Sequence, residues 1–256
     1  MEQTKFPSET IDLPSKGFFY SSDNILSSGR IEIKYMTAKE EDILTSKNLI
    51  QKGIVLDKLL QSLIVTPINY EDLLVGDKNA ILFASRVLAY GKDYGVELDC
   101  QSCGKKSQQT IDLSKINHKK FETSKFSNGI NEIEFELPSS KIKVTAKLLR
   151  SRDEKTIDDA LKGLKKISSQ TGTDFEMTTR LKNVITSVNG DTNREVINKF
   201  VSESLLSRDS LALRSFLKEM TPDIDASFDF VCSDCGYEKN IPIPLDMEFF
   251  WPRGPR

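Results

Sequence analysis

The chain has 256 residues, of which 38% are hydrophobic and 29% charged, and its formal net charge at pH 7 is −2. This length predicts one or two domains with a real hydrophobic core, and the balanced charge gives no bulk electrostatic reason to bind DNA, RNA or an acidic membrane. The N-terminal residues lack an apolar segment, so we expect no signal peptide. Charges interrupt the longest apolar runs, so we expect no membrane-spanning helix.

The first half predicts a turn, a strand, several helices and a second strand, in that order. The turn lies at Pro14 and the strand at residues 31–35. Thr37 and Glu40 then form the T-x-x-E pattern of a capping box, which starts a helix. A further helix is predicted from Asp77, a residue type suited to the N-cap, to the glycine at position 91.

The second half predicts the same elements in the same order. Its landmarks are Pro138 for the turn, residues 142–148 for the strand, Ser151 and Glu154 for the capping box, and Asp209 for the later helix. The intervals also agree, because 23 positions separate Asp77 from Cys100 and Asp209 from Cys232. We therefore predict an α+β fold made by tandem duplication of a strand–helices–strand–knuckle–strand unit. The alternative is that common motifs follow this order by coincidence.

The predicted boundaries place a first repeat at residues 1–116, a connecting segment at 117–140 and a second repeat at 141–256. The connecting segment includes the stretch "NEIEFEL". Its alternation predicts a strand, with Ile133, Phe135 and Leu137 on one face.

All four cysteines lie in two C-x-x-C-G motifs, each between two predicted strands. This spacing is typical of a zinc knuckle, and the glycines, Gly104 and Gly236, tolerate the left-handed backbone of such a turn. One knuckle offers two thiolates, whereas a structural zinc ion takes four ligands. We therefore predict one shared, zinc-ribbon-like site. Its ligands are Cys100, Cys103, Cys232 and Cys235.

Two other interpretations of the cysteines stay open. The motifs can be metal-free turns that only shape their hairpins, with each thiol packed as a small hydrophobic group. A redox pair is less favoured, because a thioredoxin-type C-x-x-C lies where a strand enters a helix. Polar turn and strand patterns follow the cysteines in this chain instead.

The sequence predicts no catalytic site. His118 is the single histidine, so a nucleophile–base triad has no obvious base, and no phosphate-binding glycine motif is present. Near the C-terminus, Phe249, Phe250 and Trp251 concentrate aromatic area. These rings either close the core or bind a partner, since aromatic side chains bury large areas at interfaces.

Four stretches, in this order, carry a resemblance to a known family. They are "DLPSKGFFY", "RIEIKYMTAKEEDIL", "AILFASRVLAYGKDYGVELDCQSCG" and "IDLSKI". Together they resemble the baseplate hub assembly proteins of T4-type contractile-tailed bacteriophages. The resemblance spans roughly residues 11–116, and the second half is connected to it mainly through the internal repeat.

The resemblance implies a virus-encoded, non-enzymatic protein made in the bacterial cytoplasm. Such a protein acts as a subunit or an assembly factor of the central hub of the tail baseplate, and its partners are phage hub or tail proteins. The family brings no catalytic residues to this chain. The alternative is a zinc-ribbon module that binds nucleic acid or a host regulatory protein. The mixture of lysines and acids beside the cysteines argues against a surface that reads DNA.

Overall fold

A computed structural model describes residues 7–172, 174–243 and 247–250 of the chain. The strands are β1 (Ser8–Asp12), β2 (Arg30–Lys34), β3 (Asp93–Asp99), β4 (Lys106–Asp112), β5 (Glu132–Glu136), β6 (Lys143–Lys147), β7 (Ile185–Val188), β8 (Ser227–Val231) and β9 (Glu238–Pro242). The helices are α1 (Ala38–Thr45), α2 (Lys47–Gln51), α3 (Val55–Leu63), α4 (Val75–Tyr90), α5 (Ser151–Thr171), α6 (Glu176–Val184), α7 (Arg194–Lys199) and α8 (Ser207–Met220).

All of the described sheets are small and antiparallel. In the first half β1 pairs with β2, and in the second half β5, β6 and β7 form a three-stranded sheet in that order. An isolated bridge joins Ile33 in β2 to Ile64, immediately after α3. The second half has a full strand at the corresponding point, since Ala146 in β6 pairs with Ile185 in β7. Helices packed on small antiparallel sheets confirm the α+β class.

The capping box predicted at the start of α1 is present. The carboxylate of Glu40 accepts hydrogen bonds from the Thr37 backbone nitrogen at 3.0 Å and the Thr37 hydroxyl at 2.6 Å. Lys34 at the end of β2 donates to the other oxygen of Glu40 at 2.8 Å. This carboxylate therefore fixes both the end of the strand and the start of the helix.

The capping box predicted at Ser151 and Glu154 is wrong by one residue. The acidic residue of the capping box is Asp153, whose carboxylate accepts a hydrogen bond from the backbone nitrogen of Arg150 at 2.9 Å. Ser151 is the first residue of α5 and donates its backbone N–H to the carbonyl of Leu73 at 2.8 Å. A contact with the other half of the chain thus fixes the start of this helix.

The N-cap role predicted for Asp77 is also wrong. Helix α4 begins two residues earlier, at Val75. The buried carboxylate of Asp77 accepts from the backbone nitrogen of Ser15 at 2.9 Å and from its hydroxyl at 2.7 Å. The hydroxyl of Tyr20 also donates to Asp77, at 2.6 Å. Asp77 therefore anchors the turn between β1 and β2.

Asp209 holds an equivalent position in α8 and is likewise not the N-cap that the sequence predicts. The helix begins at Ser207. The carboxylate of Asp209 accepts from the backbone nitrogens of Ser139 and Ser140 at 2.7 and 3.0 Å. These two residues lie in the turn between β5 and β6, so each half contains one such aspartate clamp.

Two main clusters of buried side chains form the core. One lies within the second half, around β6, α6 and α8. The larger one occupies the first half and also contains Ile243, Phe249 and Phe250, which come from the end of the chain. The halves therefore share core contacts, and the division into repeats at residues 116 and 141 stays a prediction.

Candidate metal centre

Two β-hairpins project the four cysteines. In each hairpin the first cysteine donates its backbone N–H to a carbonyl five residues later, Lys105 for Cys100 and Tyr237 for Cys232, at 2.9 Å in both cases. The glycine after the second cysteine donates to the carbonyl of the first cysteine, at 2.9 and 3.0 Å. Both glycines have φ of 71°, a left-handed conformation that glycine adopts without strain. The two C-x-x-C-G turns thus have matching backbone geometry.

The hairpins face each other and bring the four sulfur atoms together. The Sγ atoms of Cys100 and Cys235 are 3.7 Å apart, and those of Cys103 and Cys232 are 3.8 Å apart. All four Sγ atoms lie within 4.8 Å of one another. The sequence-predicted ligands therefore meet at one point, and each turn supplies two of them.

This arrangement fits a tetrahedral metal ion. Metal–sulfur bonds of about 2.3 Å in a regular tetrahedron place neighbouring sulfur atoms about 3.8 Å apart. The distances between hairpins match that edge, and the donor set consists of four thiols, which are soft ligands. The geometry supports a metal site, and the identity of the metal as zinc stays a prediction.

A small apolar cluster lies beneath the sulfur atoms. The first cysteine of each turn is buried, whereas the second is exposed. Cys100 and Cys232 pack with the buried ring of Phe230, and partly buried side chains close the cluster; these are Leu98, Phe228, Tyr237 and Ile241. Its buried members are distinct from those of the two larger clusters, and Phe228 also packs against the larger one. A metal ion here would hold the two hairpins together above this cluster.

Backbone groups favour the thiolate form of one cysteine. The backbone N–H of Cys103 is the main group that lowers the pKa of the Cys100 thiol to about 7, and that of Ser102 adds to it. Hydrogen bonds to sulfur stabilise the charged form. A metal ion binds the thiolate, so the surroundings of Cys100 suit a ligand, whereas burial and the neighbouring sulfur atoms raise the pKa of the Cys103 thiol.

Polar contacts also join the hairpins, and the sequence pattern did not identify them. Lys105 forms an ion pair with Asp234 at 2.7 Å, and Lys239 donates to the side chain of Gln101 at 2.6 Å. The side-chain amide of Gln109 donates to the carbonyl of Val231. The opposite charges of the two turns were visible in the sequence, but their pairing needs the folded chain.

The lysines beside the cysteines are largely paired. Lys105 pairs with Asp234 across the hairpins, and Lys106 lies 2.8 Å from Glu97 within the first hairpin. Paired lysines offer little net positive charge to a phosphate backbone. Each turn leads into a strand and not into a helix, which differs from the thioredoxin arrangement.

The two described rings of the predicted aromatic tail belong to the core and not to the cluster at the cysteines. Phe249 and Phe250 are each 1% exposed and belong to the larger core cluster. The ring of Phe249 lies 4.9 Å from that of Phe83, and the buried Arg86 donates to its carbonyl at 2.8 Å. These two rings therefore fit the alternative in which the tail closes the core. Trp251 lies outside the described residues, and its role in partner binding stays a prediction.

Comparisons with known proteins identify one family. A family model described as T4 bacteriophage base plate protein matches residues 18–251. Neither a curated protein nor a solved structure matches the chain. Within the described part of the chain, no helix is both long and apolar enough to cross a membrane.

Proposed function

Because the chain belongs to the T4 bacteriophage base plate protein family, we propose that it is a non-enzymatic subunit or assembly factor of the central hub of a contractile tail baseplate. The observation that carries this proposal is the family match over residues 18–251, which spans both halves. The resemblance of residues 11–116 to hub assembly proteins supports the hub in particular. Its partners would be other phage hub or tail proteins.

The four-cysteine site would serve this role as a structural zinc centre. Cys100, Cys103, Cys232 and Cys235 would hold the ion, which supplies folding energy and no catalysis. The ligands come from hairpins 132 residues apart in the chain. One ion would therefore join the two hairpins, and with them both halves of the chain.

A tandem duplication accounts best for the paired elements of the chain. Each half contains an aspartate clamp, Asp77 on Ser15 and Asp209 on Ser139. Each half also contains a lysine at the end of a strand that pairs with the acid of the next capping box. These pairs are Lys34 with Glu40 at 2.8 Å and Lys147 with Asp153 at 2.6 Å. Agreement of long-range contacts, and not only of element order, supports the duplication.

The proposed setting is the bacterial cytoplasm during tail assembly, followed by the virion baseplate if the protein remains in the particle. A tagged chain expressed in infected cells, then purified and analysed by mass spectrometry, tests this proposal. We expect hub proteins to co-purify, and we expect them to be lost from a Cys100→Ser, Cys232→Ser double variant that cannot complete the site.

The same preparation distinguishes the alternative function. Binding to duplex DNA that weakens steeply with added salt would indicate a nucleic-acid module and would contradict the hub proposal if no tail protein co-purifies. The paired state of the lysines beside the cysteines leads us to expect no such binding.

A further inference from the structure

We infer that copies of this protein associate head to tail. The contact would repeat, between two copies, the backbone pairing that joins the two halves within one chain. The inference rests on the proposed duplication, and it goes beyond the assignment to the hub. The occupant of the surface is a second copy of the same chain.

The junction inside the chain is a short antiparallel pairing. The backbone nitrogen of Val75 donates to the carbonyl of Leu149 at 3.0 Å, and that of Ser151 donates to the carbonyl of Leu73 at 2.8 Å. Leu74 and Arg150 face each other as a β-bridge. The segment that enters α4 thus pairs with the segment that enters α5. We call residues 73–75 the leading edge of the first half and residues 149–151 the trailing edge of the second half.

Ion pairs and burial reinforce this junction. Lys78 lies 3.2 Å from Glu154, and Arg152 lies 3.1 Å from Asp72. Leu74, at the centre of the pairing, is only 2% exposed. The junction therefore has a buried centre, two backbone hydrogen bonds and charged groups of opposite sign around it.

Each half should carry both edges if the halves are copies. The clamps align Asp77 with Asp209, which places the leading edge of the second half at residues 205–207. The capping acids align Glu40 with Asp153, which places the trailing edge of the first half at residues 36–38. Only one of the two possible pairings is made inside the chain. The leading edge of the second half and the trailing edge of the first half therefore remain available for a second copy.

The remaining leading edge is exposed, whereas the remaining trailing edge is half-buried at Met36 and Thr37. Leu206, the counterpart of Leu74, is 51% exposed, and Leu211 one turn later is 57% exposed. The groups that would pair are the N–H of Ser207 and the carbonyl of Leu205 on one edge, and the carbonyl of Met36 and the N–H of Ala38 on the other. As far as the described residues show, none of these four groups bonds to the rest of the chain.

Exposed charged residues flank both remaining edges. Glu203 and Arg208 are exposed beside the leading edge, and Lys39 and Asp42 are exposed beside the trailing edge. In the internal junction, Asp72 on the leading side pairs with Arg152 on the trailing side, and Lys78 on the leading side pairs with Glu154. The alignment places Ser204 and Ser210 where the internal junction has Asp72 and Lys78, so backbone hydrogen bonds and Leu206, and not these ion pairs, would hold a second copy.

An interface between two different surfaces of the same chain does not close on itself in a dimer. It produces rings or open chains of subunits. Since the contact pairs only two short segments, we expect weak association that grows with protein concentration. High local concentration in a growing baseplate would favour it.

Proline at the first residue of each helix removes the pairing N–H and leaves the fold intact. The test variants are Ser207→Pro at the start of α8 and Ala38→Pro at the start of α1. Proline is favoured at this helix position. The preceding residues, Leu206 (φ −64°, ψ 143°) and Thr37 (φ −123°, ψ 175°), already have the extended conformation that proline requires.

A matched control puts proline at the start of α2, away from both edges. The variant is Lys47→Pro, and the preceding residue, Ser46, is also extended (φ −66°, ψ 103°). Thermal melts of all four proteins verify folding. Sedimentation velocity over a wide concentration range then measures association.

We expect the average mass of the wild type and of Lys47→Pro to rise with concentration, and each edge variant to associate at least tenfold more weakly. Each edge variant retains the edge that the other lacks, so an equimolar mixture should form dimers and no larger species. A wild type that stays monomeric, edge variants that associate like the wild type, or a mixture without dimers would each overturn the inference. Co-purification of hub proteins reports a different contact, so the hub proposal can fail or survive independently.

Discussion

The carboxylate of Asp77 lies 2.9 Å from the backbone nitrogen of Ser15, although 62 positions separate the two residues in the chain. The same carboxylate accepts from the hydroxyl of Tyr20, which in turn accepts from the backbone N–H of Leu74 at 2.9 Å. Tyr20 thereby satisfies an otherwise unpaired N–H at the start of α4. One buried acid thus connects the turn between β1 and β2 to α4, the helix that leads toward the cysteines.

Replacing Asp77 with Ala should destabilise the protein by about 3 kcal/mol or more, because several buried donors lose their acceptor. Asp77→Asn is the matched control. The amide oxygen of asparagine can still accept from the backbone nitrogen of Ser15. Its amide nitrogen can donate to the hydroxyl oxygens of Ser15 and Tyr20, so the loss of stability should be smaller. Urea denaturation monitored by circular dichroism measures both. Equal stability of Asp77→Ala and the wild type would show that the clamp does not hold the fold.

Gly76 is a site where only glycine fits. A Cβ atom at this position would lie 1.8 Å from the carbonyl oxygen of Pro222, a backbone atom of the other half. Gly76→Ala should therefore separate α4 from the segment after α8 and destabilise the protein by about 2 kcal/mol or more. The midpoint of thermal unfolding is the measurement.

Gly163 provides the contrasting glycine within a helix. It lies inside α5, and a Cβ atom there would meet nothing within 4 Å. Gly163→Ala should raise the free energy of unfolding by about 0.5–1 kcal/mol, because alanine loses less conformational entropy in a helix. If Gly76→Ala and Gly163→Ala change the free energy of unfolding in the same direction, close packing at Gly76 does not explain the effect of Gly76→Ala.

Glu40 should make stability depend on pH in acid. Burial alone would raise the pKa of Glu40, but hydrogen bonds from Lys34, Ser62 and Thr37 lower it to about 2, from an ordinary value of 4.5. Since the folded state has the lower pKa, the stabilisation is fully present above pH 4.5. It is lost as the pH falls toward 2.

Glu40→Gln should be less stable than the wild type at neutral pH, by about 1–3 kcal/mol, because hydrogen bonds to a charged group are lost. The difference between the two proteins should shrink as the pH falls from about 4.5 to 2. Unfolding free energies measured across this range provide the test. A constant difference would mean that Glu40 is not ionised in the folded protein.

The proposed zinc site should be lost as a unit. We expect one zinc ion per chain, and we expect Cys100→Ser to remove all of it, because neither turn has further ligands. A chelator should lower the melting temperature of the wild type and leave that of the variant unchanged. Atomic absorption and thermal melts are the measurements.

Ser102→Ala is the matched control for the cysteine variant. This exposed residue lies in the same turn and contributes only a backbone N–H to the Cys100 sulfur. It should keep the full zinc content. A half-equivalent of zinc remaining in Cys100→Ser would indicate independent sites, and a metal-free wild type would favour the interpretation of the turns as shaping elements only.

Truncating Phe249 should remove a central part of the larger core. Its ring lies 4.9 Å from Phe83 and 5.2 Å from Tyr94. Phe249→Ala should lower the free energy of unfolding by about 3–5 kcal/mol, which guanidinium denaturation would measure.

Trp251 lies outside the described residues. Trp251→Ala should lower either the stability of the protein or the recovery of hub proteins. No change in both measurements would exclude a role for that ring.

Much of the local structure could be read from the sequence because it depends on neighbouring residues. The spacing of Cys100 and Cys103 and the glycine that follows them define a turn whose hydrogen bonds span five residues or fewer. The alternation around Ile133 marked a strand for the same reason, and Thr37 with Glu40 marked the start of α1. The resemblance of the first half also indicated the family before any fold was known.

The tertiary structure decided which residues each polar group meets. Asp77 and Asp209 have the sequence context of N-caps, yet a buried carboxylate is more stable when it accepts several hydrogen bonds, and those donors lie in turns 62 and 70 positions away. Ser151 begins a helix and does not cap it, because Leu73 accepts its backbone N–H. The sulfur atoms meet because two hairpins dock. No local pattern fixes the distance between groups that are far apart in the chain, since that distance depends on how the whole chain packs.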